Sequence, residues 1–238
     1  TICVLLAAGV GSRLMPLTSN WPKCMFPVGG YPLITYWLEA LFKTDTINRI
    51  LLNTHYKSSV VGNYLKSQIN NDLVYVTYEQ ELLGTAGTLS QNYNFLKGQR
   101  LLVAHADNFS NINLNSFLKF HDTHTCPISM ACFTTTTPET CGIVQIDDHD
   151  IVTQFFEKKM NPPSALANAA IYCFDPIVLE TIYNGQEITD ISTQLIPRFI
   201  GQIKVYLNDI SNIDIGTFKS WLSANETVSY ERIQSVKN

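Results

Sequence analysis

Charge is scarce in this sequence. Lys, Arg, Asp and Glu make up 15% of its 238 residues, against 45% hydrophobic residues, and 16 basic side chains face 20 acidic ones. The formal net charge of −4 excludes the basic footprint of a nucleic-acid binder. The apolar share excludes the disordered class and supports a sizeable core. No apolar run approaches the length of a membrane span. The opening TICVLLAAGV is short, leads into glycines and has no basic flank of the secretory kind. No CxxC pair occurs among Cys3, Cys24, Cys126, Cys132, Cys141 and Cys173, so zinc spacings are missing. A cytoplasmic chain with reduced thiols is the expectation. Internal repeats, low-complexity tracts and a GxSxG elbow are also missing.

The pattern that is present alternates. Residues 2–8 form a continuous apolar run, as in a strand buried on both faces. Helical spacing follows over 33–42, a strand over 49–53, a helix over 60–69, a strand over 73–78, a short helix over 89–96 and a strand over 101–104. This succession predicts βαβ units with right-handed crossovers. The second half is richer in strands, at 128–134, 142–146, 151–156 and 169–174. Asp147, Asp148, His149 and Asp150 make a turn-like hairpin link. Helices are predicted at 176–183, at 191–199 and from 218 onward, with a last strand at 204–207. The expected fold class is α/β, one domain over residues 1–238. Its sheet is mixed and mostly parallel, flanked by helices. A half over about residues 1–110 precedes a more antiparallel half over about residues 111–238.

The first strand feeds into Gly9-Val10-Gly11-Ser12-Arg13. Glycines there let backbone N–H groups approach an anion, and Arg13 adds a planar fork of donors. Lys23 follows ten residues later. Two cations beside one glycine loop suit a polyphosphate. GVGSRL lacks the third glycine of the dinucleotide fingerprint, and no G-K-[ST] follows. An ordinary strand-to-helix turn is the alternative.

The string LAAGVGSRLMPLT at residues 6–18, followed by PKCMFPVGGYPLI, resembles the signature of the sugar-1-phosphate nucleotidyltransferases. Further strings match in order: LLGTAGTL at 82–89, AHADN at 104–108, CGIVQID at 141–147, FEKK at 156–159, NAAIYCF at 168–174 and DIGT at 214–217. The resemblance implies a Rossmann-like sheet and a reaction between a nucleoside triphosphate and a sugar 1-phosphate that releases pyrophosphate. Such transfers depend on positioning and charge neutralisation, and Mg²⁺ takes one or two carboxylates plus phosphate oxygens. The resemblance implies metal-binding roles for Asp107 and Asp214. It implies catalytic roles for Arg13, Lys23 and Asp107. It implies substrate contacts at Leu6, Ala8, Gly9, Gly11, Ser12, Gly84, Thr85, Gly87, Gly142, Glu157, Lys158 and Asn168. Lys158 would take the sugar's phosphate and Glu157 its hydroxyls. The GTAG string at 84–87 resembles guanylyltransferases acting on mannose- or heptose-type phosphates. Uridylyl-, thymidylyl- or cytidylyl transfer, and a catalytically silent nucleotide-sugar-binding homologue, are the rivals. A homodimer is left open.

The sequence departs from the family pattern at Cys24, Ala106, Lys159 and Ala170. The family has proline after the lysine, glycine before the aspartate, proline after Glu-Lys and glycine after Asn-Ala. Each departure keeps the neighbouring charged or amide group. No hexapeptide repeats of an appended β-helix occur, so no second activity is expected. His121 and His124 are expected on a solvent-facing helix end, since no complete zinc ligand set accompanies them.

Overall fold

A computed structural model describes residues 1–68, 72–185, 187–208 and 210–237. The strands are β1 (Ile2–Leu6), β2 (Pro27–Val28), β3 (Tyr31–Pro32), β4 (Arg49–Thr54), β5 (Val74–Tyr78), β6 (Leu101–His105) and β7 (Asn108–Ser110), then β8 (Ile128–Thr134), β9 (Gly142–Ile146), β10 (Val152–Glu157), β11 (Leu166–Phe174), β12 (Ile203–Leu207) and β13 (Asn212–Asp214). The helices are α1 (Leu33–Phe42), α2 (Ser58–Gln68), α3 (Thr85–Gln91), α4 (Tyr93–Leu96), α5 (Leu114–His121), α6 (Pro176–Asn184) and α7 (Phe218–Lys237). No described helix is long and apolar enough to cross a membrane.

Nine strands form one sheet in the order β10-β9-β11-β6-β1-β4-β5, with β8 paired to β11 and β12. The pairings of β1 with β4 and β6, of β4 with β5, and of β8 with β12 are parallel. Strand β11 runs antiparallel to β6, β8 and β9, and β10 runs antiparallel to β9. The sheet is therefore mostly parallel in direction, with β10 and β11 reversed. Chain order proceeds outward from β1 through β4 to β5, then jumps to β6 on the other side of β1. That reversal is a topological switch point, and ligands of open α/β sheets bind at the carboxyl ends of the strands there.

Strand β1 shows why the sheet lies inside. Cys3, Leu5 and Ala7 face one apolar core, while Ile2, Val4 and Leu6 face the other. Period two with both faces apolar is the signature of a doubly covered strand. The first core is closed by α1, α2 and α5 through Trp37, Leu38, Leu41, Val61, Leu65, Phe117 and Leu118. The second is closed by α3, α4 and α6 through Leu89, Leu96, Val178, Leu179 and Ile182. Helix α1 packs because Leu33, Ile34, Trp37, Leu38 and Leu41 recur on one face. Each fully buried side chain of this size contributes about 1.5–3 kcal/mol.

Several elements differ from their sequence expectations. The helix expected over 89–96 is two short helices. The first starts at Thr85 and the break falls at Asn92, whose side chain donates to the Thr88 carbonyl (2.8 Å). The helix expected over 191–199 is a wide π turn at Ile191–Leu195 followed by a tight 3-10 turn at Ile196–Phe199. Pro197 lacks the N–H that a continuous α-helix needs there. Helix α2 begins at Ser58, two residues before its predicted start, and Ile69 lies outside the described residues. The pair β7–β13 was not predicted; it sets Asn108 opposite Asp214.

His121 is not solvent-facing: it is 2% exposed. Leu114, Phe117, Leu118 and His121 recur along one face of α5, and that face is buried. The His121 ring lies between Ser129 Oγ (Nδ1, 2.7 Å) and Asp175 Oδ1 (Nε2, 3.2 Å). His124 Nε2 reaches the same serine at 2.9 Å. Burial holds both imidazoles below the ordinary histidine value, against the pull of Asp175. Below pH ~6.5 the unfolded chain takes up protons that the native rings resist. Stability therefore falls as pH drops. The thermal midpoint should fall between pH 7 and 5.5, above the main carboxylate range, and His121→Gln should flatten that slope. A slope unchanged by His121→Gln would refute the assignment.

Ala170 adopts φ +55° at the irregularity of β11 between Asn168 and Tyr172. A left-handed conformation costs a non-glycine residue about 1–2 kcal/mol. The looser unfolded chain of a glycine gives back about 0.4–1 kcal/mol of that. Ala170→Gly should thus raise stability by about 0.5–1 kcal/mol, read as a higher urea midpoint at unchanged slope.

Candidate active site

The glycine turn leaves β1 at the switch point. Leu6 and Ala8 are buried, so only their backbone is presented there. Gly9 and Ser12 are exposed, and Gly9 lies against Asp107: a Cβ placed on it would stand 3.7 Å from Asp107 Oδ2. The carbonyl of Gly11 accepts from the hydroxyl of the buried Thr18 (2.8 Å). Thr18 and Ser19 in turn present carbonyls to Tyr56 Oη (3.3 and 2.7 Å). The turn is thereby fixed to the protein body.

The two predicted metal acids converge on one atom. Lys23 Nζ lies 2.6 Å from Asp107 Oδ2 and 2.5 Å from Asp214 Oδ1. The fold brings them there in two steps: Asp107 follows the end of β6, and β13 carries Asp214 beside β7. The amide of Ile215 donates to the Asp107 carbonyl (3.1 Å). Arg13 Nη2 meets Asp214 Oδ2 at 3.3 Å, with both side chains more than half exposed; such a pair contributes little stability. Lys23 is 5% exposed. Burial alone would lower its pKa, but Asp107 and Asp214 outweigh it and the net direction is upward. Burial would raise the Asp107 pKa, yet Lys23 and then His105 hold it below the ordinary aspartate value. Lysine and aspartate therefore both stay charged.

These residues fit a hard divalent ion. Two carboxylates direct oxygens at a common point, and the oxygens that would hold a metal are those that hold Lys23 Nζ. Among the described residues no group of three or more His, Cys, Asp or Glu could hold a metal ion. Two carboxylates are fewer than a protein-only cage supplies, and Mg²⁺ takes one or two beside phosphate oxygens.

The residues expected to meet the sugar phosphate lie on or beside β9, β10 and β11. Gly142 stands opposite Glu157. A Cβ on Gly142 would stand 2.8 Å from Glu157 Oε2 and 2.7 Å from the Phe155 ring, so a larger residue would push these side-chain ends aside. Lys158 Nζ lies 3.5 Å from Glu157 Oε1 and is two-thirds exposed; its amide donates to the Cys141 carbonyl (3.0 Å). Asn168 is held at both ends of its amide. Its Oδ1 accepts from the Ala170 amide (2.9 Å) and its Nδ2 donates to Tyr172 Oη (2.6 Å). Next to it, the Ala169 carbonyl accepts from Asn108 (3.3 Å) and Asn212 (3.2 Å). Through these two asparagines Asn168 is tied to the segments that carry Asp107 and Asp214.

Gly84, Thr85 and Gly87 lie at the start of α3, and there the structure adds a partner that the sequence did not suggest. The Thr189 carbonyl accepts from the amides of Ala86 (2.9 Å) and Gly87 (3.2 Å). Gly84 has φ +80°, and a Cβ on it would stand 2.4 Å from the Thr189 oxygen. The Thr85 hydroxyl donates to Asp190 Oδ2 (3.3 Å) and accepts from the Ile191 amide (2.8 Å). The segment is shaped by the chain around Thr189 as well as by its own glycines.

Sequence reasoning missed Asn53, Glu79, Thr88 and His105. Asn53 and Glu79 are 3% and 2% exposed at the ends of β4 and β5. Their one sequence signal is a polar residue closing an apolar strand, which also describes an ordinary turn. His105 Nδ1 lies 4.0 Å from Asp107 Oδ1.

Known proteins share this arrangement of chain. Residues 2–231 match the family described as Nucleotidyl transferase. The chain is 31% identical over 211 residues to a mannose-1-phosphate guanylyltransferase of Mycobacterium tuberculosis, covering 85% of this chain and 57% of that protein. It is 30% identical over 229 residues to a mannose-1-phosphate guanyltransferase of Pichia angusta, covering 92% and 62%. The chain thus spans little more than half the length of these relatives. A Bacillus anthracis protein provisionally named a glucose-1-phosphate thymidylyltransferase, solved with sucrose, superposes with a TM-score of 0.83 at 25% identity, covering 95% of each chain. With its acids, lysine and glycine turn at the switch point of this sheet, the chain belongs to the nucleotidyl transferase family.

Proposed function

We propose that the chain transfers a nucleoside monophosphate from a nucleoside triphosphate to a sugar 1-phosphate and releases pyrophosphate. GTP is the donor, a mannose- or heptose-type phosphate the acceptor and Mg²⁺ the metal. The observation that carries this reading is the meeting of Asp107 and Asp214 on Lys23 beside the glycine turn. Support for the guanine base comes from the GTAG string and from the names of the two relatives.

A phosphate oxygen of the sugar 1-phosphate attacks the α-phosphorus in line. One P–O bond forms to that oxygen, and the bond from the α-phosphorus to the bridging oxygen breaks. The departing pyrophosphate keeps the electron pair. Little covalent work is left to the protein, so charge and placement carry the rate. Amides of the glycine turn, with Arg13 and Lys23, receive the triphosphate and offset its growing charge. Asp107 and Asp214 would hold the divalent ion, which polarises phosphoryl oxygens when bound. Lys158 takes the acceptor's phosphate, while Glu157 and Asn168 orient its hydroxyls. A silent homologue needs neither convergent acids nor a buried lysine between them.

Pyrophosphate release should be seen with GTP, mannose 1-phosphate and Mg²⁺. Asp107→Asn should lower the rate roughly 10²–10³-fold, as for loss of a main electrostatic contact; a wild-type rate in that variant would remove the metal assignment. Nucleotide-sugar binding without turnover for any triphosphate and sugar phosphate would favour the silent homologue. Lys158→Ala should raise KM for the sugar phosphate about tenfold or more, the value of a charged hydrogen bond, with KM for the triphosphate little changed. An unaltered response to sugar phosphate would refute the role of Lys158.

A further inference from the structure

One carboxyl group lies in the nucleotide half without a cation. Among the described residues Glu79 is the one acid with its whole residue buried, at 2% exposure. Three donors surround it. Its Oε1 accepts from Asn53 Nδ2 (2.8 Å) and from the Thr88 hydroxyl (2.5 Å), and its Oε2 faces the Leu83 amide at 3.4 Å. Asn53 Nδ2 also donates to Thr88 Oγ1 (3.1 Å), and Asn53 Oδ1 accepts from the amide of Ala7 (2.7 Å). Asn53 and Thr88 are themselves 3% and 1% exposed.

The route of these bonds matters more than their number. Ala7 is the residue at which β1 opens into the glycine turn. Leu83 and Thr88 flank the segment at 84–87. Asn53 is the penultimate residue of β4 and Glu79 follows β5. Two links, Ala7 to Asn53 and Asn53 to Glu79 and Thr88, thus join the turn assigned to the triphosphate with the segment assigned to the base. Leaving a buried polar group unpaired is costly, so the members of such a network hold one another in a single arrangement. The Thr88 hydroxyl also lies 3.1 Å from the Gly84 carbonyl, within the 84–87 segment itself.

We propose that Glu79, acting through Asn53 and Thr88, is a positioning residue that fixes the spacing between the phosphate-binding turn and the base-binding segment. The proposal rests on the functional reading above and assigns to it a device outside the residues expected to touch substrate. A ligand that spans both segments depends on that spacing. A ligand that touches the glycine turn alone does not.

Calorimetric titration separates the two. Wild-type protein is titrated with GTP, UTP, CTP, ATP and dTTP and with inorganic tripolyphosphate, each with Mg²⁺. Glu79→Gln sets an amide against the Leu83 N–H, donor against donor. Thr88→Val removes one hydroxyl at constant shape, and Thr88→Ser restores it. Both disruptive changes leave the Asn53–Ala7 bond in place. Glu79→Gln and Thr88→Val should weaken the preferred triphosphate about tenfold, weaken tripolyphosphate less than about twofold, and reduce discrimination among the bases. Thr88→Ser should restore binding. Equal loss for triphosphate and tripolyphosphate, or unchanged triphosphate affinity in folded Thr88→Val, overturns the proposal. If Glu79→Gln fails to fold, the Thr88 pair decides. Wild-type binding of a nucleotide without pyrophosphate release for any sugar phosphate would sink the functional reading and leave the coupling to be judged on affinity. Absence of binding for all five nucleotides would sink both.

Discussion

The ammonium of Lys23 between two carboxylates is the constraint on which the site depends. Asp107 and Asp214 come from segments far apart in sequence, and their oxygens share one neighbour at 2.6 and 2.5 Å. Two acids aimed at a common point repel, and one of them would take up a proton if nothing positive stood between them. A lysine that is 5% exposed is equally unable to stay charged alone. Lys23 and Asp107 keep each other ionised. The closing of β13 on β7 brings Asp214 to these charges, and Thr18 and Tyr56 anchor the glycine turn beside them.

The sheet supplies the rigidity that this arrangement needs. Because β1 is covered on both faces by separate apolar cores, the strand ends at the switch point are held by packing as well as by hydrogen bonds such as Ala7 to Asn53. Charged side chains can then be set at that edge with their partners already in place, which is the condition for electrostatic catalysis. The Glu79–Asn53–Thr88 network extends the same logic into the interior, where neutral donors and one carboxyl group take over from ion pairs.

Much of the scaffold was legible because it is written in periodicity. Helix α1 and strands β8 and β9 fall where their apolar spacing places them, and the hairpin link at residues 147–150 does join β9 to β10. The α5 pattern of Leu114, Phe117, Leu118 and His121 was also present in the sequence, and following it would have placed His121 inside. Other features have no period to follow. Three-residue strands such as β7 and β13 give no alternation, and their pairing spans about a hundred residues of chain. Asn53, Glu79 and Thr88 each resemble common turn or helix-start residues; only their meeting in space makes them a unit. The dependence of the 84–87 segment on Thr189 belongs to the same class, since no local pattern tells a helix start which distant carbonyl will cap it.

Strand β11 reverses direction between two bodies of chain that run the other way. It joins β6 with one half of its length, β8 on its far edge, and touches β9 at the single pair Ala167–Ile143. The β9–β10 hairpin meets β11 by a narrow seam and is held again at its turn, where Ile151 bridges Lys204 of β12 and the Asp150 carbonyl accepts from the Val205 amide (2.9 Å). Changes in that hairpin are therefore constrained less by the register of β1, β4, β5 and β6, with which it shares no ladder, than by this clasp on β12.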